Sequence, residues 1–234
     1  MIKHSFITFY CLLTISFAGL PVKCNAQENS NQPPEIAIVL FDGSDFSKWD
    51  NCDGGEVGWK IIGNAMEIVP DTLYKCERIQ GIKTRSNYRD FQLHLEFRIP
   101  EPDANSGIYI HKRYEVQISN TYKKPYDKYM GGSIYMQKLP DRNVARPVGE
   151  WQTYDIIFRS PRYKRNDFYY SKQEDARITV LQNGIVIHNN IIVQSPTGRG
   201  FPEDENPRPI MIQDHGSRVQ FRNIWIIPGE DTVY

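Results

Sequence analysis

Short apolar segments that end at turn residues recur along the sequence, and they constrain the fold more than any other feature. In FQLHLEFRI, residues 91–99, every second residue is apolar, as in a strand that buries one face. In RITVLQNGIVIHNN, residues 177–190, two apolar runs flank an Asn-Gly pair, which is typical of a two-residue hairpin turn. No window sustains the 3.6-residue apolar period of a helix. The pattern predicts an all-β sandwich or barrel.

Length and charge narrow the class of protein further. The chain has 234 residues, 28 of them basic and 28 acidic, and its formal net charge is +0. All-β chains of this length commonly form one domain, so residues 36–234 are predicted to be a single domain that follows a polar, flexible leader at 27–35. Because a neutral chain without a basic stripe binds nucleic acids poorly, we expect no nucleic-acid partner. The sequence favours neither a monomer nor an oligomer.

The N-terminus has the features of an export signal. Lys3 precedes an apolar run at residues 5–20, and small residues suit cleavage after Ala26, so residues 1–26 are predicted to be a signal peptide. A membrane anchor is the alternative, but the run is short for a spanning helix. Cys24 raises the question of a lipoprotein, which the lysine directly before it argues against. The sequence therefore predicts a periplasmic or secreted protein without stable membrane insertion.

Two cysteines, Cys52 and Cys76, remain beyond the predicted signal peptide. In an oxidising compartment they would form one disulfide, and two buried free thiols are the alternative. Neither cysteine lies in a Cys-x-x-Cys or Cys/His cluster, so the sequence does not indicate a zinc site.

Polar residues on two predicted strands are candidates for a binding site. Alternation through YEVQI turns Glu115 and Gln117 away from their apolar neighbours. If the preceding strand extends far enough, Tyr109 and His111 also share one face. Such residues are either merely solvated or line a groove on the outer face of a sheet. Asn105, in the NSG turn, would lie at the rim of that groove unless it serves only the turn.

Two long loops separate predicted strands. They are NTYKKPYDKYMGGS, residues 120–133, and SPTGRGFPEDENPRP, residues 195–209. Long loops on a rigid β scaffold often carry binding function.

The segment PIMIQDHGSRVQFRNIWIIP, residues 209–228, reads as two strands around a short turn. Gln213 and His215 would lie on one face and Asp214 on the other, and hairpin pairing would bring Arg222 close to Gln213. A carboxylate beside an imidazole suits general acid–base chemistry, and a guanidinium or amide stabilises a developing oxyanion. A purely structural role for the histidine is the alternative.

Signatures of common hydrolases are absent from the sequence. There is no Gly-x-Ser-x-Gly, no P-loop, no His-Glu-x-x-His and no Glu-x-Asp-x-x-Glu pattern of retaining β-glucanase sandwiches. Conventional glycoside hydrolysis needs two carboxyl groups about 5–10 Å apart. Glu115 together with Glu96 or Asp214 would be the candidates for such a pair.

Seven motifs appear in a specific order between Ile38 and Pro228. They are LFDGSDFSKWD, FQLHLEFRIP…NSGIYIH, YEVQIS, GGSIY, GEWQTYDIIFRSPRY, ITVLQNGIVIHNN and IMIQDHGSRVQFRNIWIIP. Together they closely resemble the 3-keto-disaccharide hydrolase family. The signal ending in NAQ is similar to those of exported Bacteroidetes proteins.

The resemblance implies an all-β fold, a concanavalin A-like jelly-roll β-sandwich of two antiparallel sheets. It also implies action on an oligosaccharide or glycoside already oxidised to a ketone at C3 of the sugar. Such a ketone acidifies the C2 proton, so that a base forms an enolate and the C1 substituent leaves by β-elimination before water adds. This chemistry needs a base, a group that stabilises the enolate oxygen, and an acid for the leaving group.

Glu115 or His215 is the predicted base, and His111 is a second imidazole candidate. Arg222 and Gln213 would orient polar groups of the substrate or hold the enolate oxygen. No cofactor is firmly implied, but a divalent cation ligated by His111, Glu115 or His215 would replace Arg222 as the electrophile.

Tyr109 and Tyr135 would stack on the sugar, whereas Trp151 and Trp225 are interpreted as core. The residues expected to bind the substrate are Glu96, Asn105, Tyr109, Gln117, Tyr135, Gln213, Asp214 and Arg222. A two-carboxylate glycoside hydrolase and a non-catalytic carbohydrate-binding module remain the alternative functions.

Overall fold

The computed structural model describes residues 32–70 and 76–229. The predicted signal peptide and residues 27–31 of the predicted leader lie outside these ranges. Within them, no helix has the length and hydrophobicity needed to cross a membrane. Strands carry the secondary structure, as the alternating pattern predicts.

In chain order the strands are β1 (Ile38–Phe41), β2 (Trp49–Asn51), β3 (Lys60–Ile62), β4 (Ala65–Glu67), β5 (Gly81–Thr84), β6 (Phe91–Arg98), β7 (Asn105–Ile110), β8 (Tyr114–Ser119), β9 (Trp151–Arg159), β10 (Arg162–Arg165), β11 (Tyr170–Glu174), β12 (Ala176–Gln182), β13 (Ile185–Val193), β14 (Met211–Gln213) and β15 (Gln220–Pro228).

Two antiparallel sheets form the body of the described chain. The larger is eight-stranded in the order β13-β12-β9-β6-β15-β4-β3, with β1 also paired to β15. The smaller has five strands in the order β2-β5-β14-β7-β8, and β10 and β11 form a separate hairpin. The predicted all-β jelly-roll sandwich of two antiparallel sheets is confirmed.

The core lies between the two sheets and follows from the alternation. In β6, Leu93, Leu95 and Phe97 are at most 2% exposed, and they belong to one buried cluster with Val116 and Ile118 of β8. Each such side chain stabilises the fold by about 1.5–3 kcal/mol relative to an exposed one. The residues between them in sequence are directed to the outer faces of the sheets.

The two strands of the segment 209–228 do not form a hairpin, so that prediction is wrong. β14 pairs with β5 and β7 in the five-stranded sheet, whereas β15 pairs with β6, β4 and β1 in the eight-stranded sheet. The intervening turn, which contains Gly216 at φ +75°, crosses from one sheet to the other. Arg222 is therefore not brought to Gln213.

Trp151 and Trp225 were predicted in the core but lie half-buried on the outer face of the eight-stranded sheet. The Trp225 ring stacks on His94 with centroids 4.8 Å apart, and the Arg222 guanidinium lies 4.0 Å from the Trp151 ring centroid. In their strands the two tryptophans alternate with the inward-facing residues and therefore point outward. The prediction relied on the hydrophobicity of tryptophan instead of on this alternation.

Cys52 and Cys76 form a disulfide with their Cα atoms 5.6 Å apart. Of the two alternatives left open by the sequence, the structure has the bonded one. The bond ties the end of β2 to residues 76–80, which precede β5.

Candidate active site

The outer face of the five-stranded sheet presents two rows of side chains across neighbouring strands. Residues opposite each other in paired antiparallel strands point to the same side. Met211 lies opposite Tyr109, and Tyr109 lies opposite Glu115. In the adjacent row Gly107 lies opposite Gln117. Glu115 and Gln117 therefore lie next to Gly107, which has no side chain and leaves space above the sheet.

A cavity of about 220 Å³ occupies this space. Seven of the predicted site residues line it, from three strands and two loops. The lining residues are Asn105, Tyr109, Glu115, Gln117, Tyr135, Met136, Gly198, Arg199, Gln213 and His215.

Glu115 is the carboxylate of this cavity. Its side chain is buried at 3% exposure, and its Oε2 accepts a hydrogen bond from the Tyr109 hydroxyl at 2.6 Å. Burial raises the pKa of Glu115 from its usual 4.5 to about 7, and the Tyr109 hydrogen bond opposes part of that rise. Burial and the neighbouring carboxylate also raise the pKa of Tyr109, so the tyrosine stays protonated and donates. A carboxyl group with a pKa near neutrality is suited to proton transfer.

Glycines make room for the Glu115 side chain. A Cβ atom on Gly107 would lie 2.4 Å from Glu115 Oε1. On the other side, Gly198 has a φ of +46°, and a Cβ there would lie 3.2 Å from the Tyr135 ring. Both positions therefore need glycine to keep the carboxyl group and the aromatic wall in place.

The roof of the cavity is the loop of residues 195–201. The Thr197 hydroxyl accepts a hydrogen bond from the Glu115 backbone N–H at 2.8 Å, and Thr197 N–H donates to the Arg113 carbonyl at 2.8 Å. The fully buried Arg113 side chain donates to the Pro202 carbonyl at 2.9 Å and so fixes the chain beyond the loop. The loop thereby carries Arg199 to the cavity.

Arg199 is exposed at the mouth of the cavity. Within the described ranges its guanidinium has neither a hydrogen-bond nor an ion-pair partner, and its charge acts on the Tyr109 hydroxyl. A cation in this position can hold an anionic oxygen of a bound molecule.

Amide groups line the other walls. Gln117 Nε2 donates to Asn105 Oδ1 at 2.8 Å, which fixes both amides and leaves the Gln117 carbonyl and the Asn105 NH₂ for a ligand. Ser106 Oγ donates to the Gln213 backbone carbonyl at 2.7 Å and so anchors the end of β14. His215 follows in the next turn and is exposed at the rim.

His111 does not reach the cavity, so the prediction that it shares a face with Tyr109 is wrong. β7 ends at Ile110, and His111 has a φ of +55°, which turns its ring into the core. Its Nε2 lies 2.5 Å from the Tyr88 carbonyl, and its ring packs edge-on against Phe158 at 4.8 Å. Burial lowers the pKa of His111 to about 4, so the histidine is a neutral core residue.

Glu96 and Arg222 also lie away from the cavity, on the outer face of the other sheet. Arg222 Nε donates to Glu96 Oε2 at 2.7 Å, and Asn223 Nδ2 donates to Glu96 Oε1 at 3.0 Å. A bulge in β15 directs both Arg222 and Asn223 outward. They border a separate cavity of about 450 Å³, beside Gln32 and Pro33 at the start of the described chain.

Asp214 is the last predicted residue outside the cavity. Its Oδ1 accepts the Gly216 N–H at 2.9 Å, which closes the turn after β14. It does not line the cavity with Gln213 and His215.

The sequence prediction missed four contributors to the site, namely Gly107, Met136, Gly198 and Arg199. The available signal was the length of the loop at 195–209, which supplies Gly198 and Arg199. Met136 follows the other long loop, and Gly107 lies within the NSG motif.

The positions of these side chains determine which of them could ligate the predicted divalent cation. Within residues 32–70 and 76–229, no group of three or more His, Cys, Asp and Glu side chains could hold a metal ion. His111 faces backbone carbonyls in the core and is unsuited as a ligand, so Glu115 and His215 are the remaining donors of the predicted set at the cavity.

Comparison with known proteins defines the class. A profile of the 3-keto-alpha-glucoside-1,2-lyase-like domain matches residues 37–227. The chain belongs to this family, as the resemblance in its motifs predicted. No match was found among curated proteins.

Crystal structures from Parabacteroides distasonis ATCC 8503, each named "putative glycosyl hydrolase", are similar to the chain. One shares 35% sequence identity at a TM-score of 0.74, over 85% of this chain and 86% of its own. Another shares 21% identity at a TM-score of 0.57, over 83% and 94% of the two chains, and supports the fold alone. The protein is therefore of the glycosyl hydrolase-like, carbohydrate-related class.

Proposed function

We propose that the protein is an enzyme that cleaves the glycosidic bond of 3-keto-glycosides by β-elimination. The observation that carries this proposal is Glu115, a buried carboxyl group with a pKa of about 7 inside the cavity. Among the described residues that line the cavity, no second Asp or Glu accompanies it. Because conventional hydrolysis needs two carboxyl groups, this arrangement favours elimination over the two-carboxylate mechanism.

The size of the cavity supports a small sugar ligand. Its volume of about 220 Å³ is below the roughly 300–1,000 Å³ of sites for drug-sized molecules. It suits one sugar ring, with Tyr135 as an aromatic wall and with the Asn105 and Gln117 amides as partners for hydroxyl groups.

In the proposed reaction the Glu115 carboxylate takes the proton from C2 of the 3-keto sugar. The electron pair of the C2–H bond forms a C2=C3 double bond, and the negative charge moves to the former ketone oxygen. When this enolate collapses, a C1=C2 double bond forms and the C1–O bond breaks. The departing oxygen takes a proton, and later addition of water at C1 gives net hydrolysis.

Each remaining polar group has a role in this scheme. Arg199 and the Gln213 amide stabilise the enolate oxygen, in place of Arg222, which lies on the other sheet. His215, at the rim, supplies the proton to the leaving group. A divalent cation held by Glu115 and His215 is the alternative electrophile, and titration of the chelated protein with Mg²⁺ and Mn²⁺ tests it.

Export to the periplasm or beyond is part of the proposal. The N-terminal sequence supports it, and the Cys52–Cys76 disulfide is compatible with an oxidising compartment. Cell fractionation with detection of the processed N-terminus checks this.

The assay compares aryl α- and β-glucosides with their 3-keto forms, using purified protein. We expect release of the phenol only from a 3-keto form. Release from the unoxidised glucosides would favour a conventional glycosidase. Sugar binding without release from any substrate would favour a carbohydrate-binding module.

A variant pair tests the assigned base. Glu115→Gln is expected to lose at least about 10²-fold in kcat/KM, the usual size of a general-base contribution. Glu174→Gln, which changes an exposed glutamate on the β10–β11 hairpin, is the matched control and should keep the native rate. Near-native activity of Glu115→Gln would remove Glu115 from the mechanism.

A further inference from the structure

An irregular segment, residues 76–80, contacts three segments that carry residues lining the cavity. We call it the brace. All its residues are described, none belongs to a strand, and its first residue is bonded to Cys52. We propose that the brace positions the roof, Tyr109 and the rim of the cavity together, and that the Cys52–Cys76 disulfide holds the brace in place.

The first contact is with the roof loop. Arg78 Nη1 donates to the Gly200 carbonyl at 3.1 Å, directly after Arg199 in the chain. The Arg78 guanidinium also lies 5.5 Å from the centroid of the Phe201 ring, and Lys112 Nζ lies 4.3 Å from that ring. Phe201 N–H donates to the Lys112 carbonyl at 2.9 Å. The brace and the β7–β8 turn thus hold the residues next to Arg199.

The second contact is with the tyrosine that holds Glu115. Ile79 is 3% exposed and forms a small cluster with Tyr109 and Met211 on the outer face of the five-stranded sheet, separate from the main core. Cys52 and Phe201 pack against this cluster. Because the sheet alone leaves this face open to solvent, the brace provides the apolar cover that keeps Tyr109 in place.

The third contact is with the rim. The Gln80 carbonyl accepts the Asp214 N–H at 3.0 Å, and Asp214 lies between Gln213 and His215 in the sequence. Immediately after the brace, Gly81 has a φ of +134°, and a Cβ there would lie 2.0 Å from the Ile212 carbonyl oxygen. A glycine is required for this close approach of the brace to β14.

The disulfide is the covalent attachment of the brace. Arg78, Glu77 and Gln80 are exposed, and a short irregular segment with one buried side chain opens easily by itself. The bond adds a fixed point at Cys76, and the Cys52 N–H donates to the Gly81 carbonyl at 2.9 Å close to it. Loss of the bond should therefore loosen the brace while the sandwich stays folded.

Amide hydrogen exchange tests this without reference to any reaction. A dithiol reductant donates two electrons and two protons, so that the sulfur–sulfur bond gives two thiols and the dithiol becomes a disulfide. After such reduction, or in Cys52→Ser/Cys76→Ser, exchange at Asp214 and Phe201 should become at least about tenfold faster, as expected for local opening. The amides of Leu95 and Ile156 in paired core strands open only with the whole sandwich, so their exchange should speed up by no more than the measured loss of global stability allows. Unchanged exchange at Asp214 and Phe201 after full reduction would overturn the proposal.

Arginine variants provide a second test in the oxidised protein. Arg78→Ala should speed exchange at Phe201 and lower kcat/KM on a 3-keto-glycoside at least about fivefold, the worth of one hydrogen bond. Arg85→Ala is the matched control, since Arg85 is exposed and pairs with Asp50 on the neighbouring strand. Equal effects of the two variants would contradict a specific role of the brace.

The catalytic readout rests on the proposed function, but the exchange readout does not. If neither the oxidised nor the reduced protein acts on a 3-keto-glycoside, the proposed function fails and the exchange rates still decide whether the brace depends on the disulfide.

Discussion

The Tyr109 hydroxyl donates a 2.6 Å hydrogen bond to Glu115 across the paired strands β7 and β8. This bond connects the Glu115 carboxyl group, which lines the cavity, to a tyrosine whose ring is packed by Ile79 and Met211. It stabilises the charged form of Glu115 against the effect of burial. The protonation of Glu115 therefore depends on how firmly the Tyr109 ring is held.

The first prediction concerns the pH dependence of the rate. A base must be deprotonated, so kcat/KM on a 3-keto-glycoside should rise with pH through a midpoint near the Glu115 pKa of about 7. Tyr109→Phe removes a hydrogen bond that favours the carboxylate, so the midpoint should move upward by about one pH unit. Initial rates between pH 5 and pH 9, about two units on either side of neutrality, measure both midpoints. A downward shift in the variant would contradict the assigned direction of this hydrogen bond.

The second prediction concerns stability at different pH values. The folded pKa of Glu115, about 7, lies above its usual 4.5, so the fold favours the protonated form. The contribution of Glu115 to the free energy of unfolding should therefore fall as the pH rises from 4.5 to about 7, and Glu115→Gln lacks this contribution. The opposite contribution of buried His111, whose pKa is lowered to about 4, is common to both proteins. Relative to wild type, the variant should gain about 1–3 kcal/mol between these limits. Urea denaturation at both ends of the range measures the difference, and a constant difference would contradict the raised pKa.

The third prediction concerns Gly107. An added methyl group would lie 2.4 Å from Glu115 Oε1, so Gly107→Ala must displace the carboxyl group. Misplacement of a catalytic group by about 1 Å can cost about 10²-fold in rate, and we expect kcat to fall by that order. Gly55→Ala is the control, because the nearest atom there is an exposed aspartate side chain. Native kcat in Gly107→Ala would mean that the carboxyl position is not critical.

The fourth prediction concerns the outer face of the eight-stranded sheet. Arg222→Ala removes the Nε donor that bonds to the buried Glu96 carboxylate, so the protein should lose about 1–3 kcal/mol of stability. Because Arg222 lies on the other sheet, away from the cavity, kcat/KM should stay close to the wild-type value. Thermal melting and the keto-glycoside assay together measure this. A large loss of kcat/KM without a loss of stability would indicate that Arg222 takes part in catalysis.

The fifth prediction concerns the disulfide as a stabilising cross-link. Cys52 and Cys76 are 24 residues apart in sequence. Closure of a loop of this length should contribute about 3 kcal/mol through the entropy of the unfolded chain. Urea denaturation of Cys52→Ser/Cys76→Ser should show this loss, and an unchanged midpoint would indicate that the bond does not constrain the unfolded state.

The local periodicity of the chain was enough to predict the faces of Glu115, Gln117 and Tyr109. Alternation along a strand depends only on backbone geometry, so it is readable from a few consecutive residues. The same rule failed at His111, because the strand ends one residue earlier and the backbone there has a positive φ. A positive φ at a histidine has no clear signal in a single sequence.

Long-range placement was not readable from the sequence. A short turn after QDHG is compatible both with a hairpin and with a crossing between sheets, and the pairing of β15 with β6 decides between them. Likewise Arg199 reaches the cavity because Arg113 and Thr197 fix its loop. These contacts join residues more than 80 positions apart, for which sequence patterns carry little information.

The described chain begins at Gln32 beside Arg222, on the outer face of the eight-stranded sheet, whereas the cavity opens on the outer face of the five-stranded sheet. A domain or solid support joined directly at Gln32 would therefore be attached on the side of the sandwich opposite the cavity. For enzyme engineering this makes N-terminal fusion the preferred route to immobilisation, since the support would not block the entry of sugars.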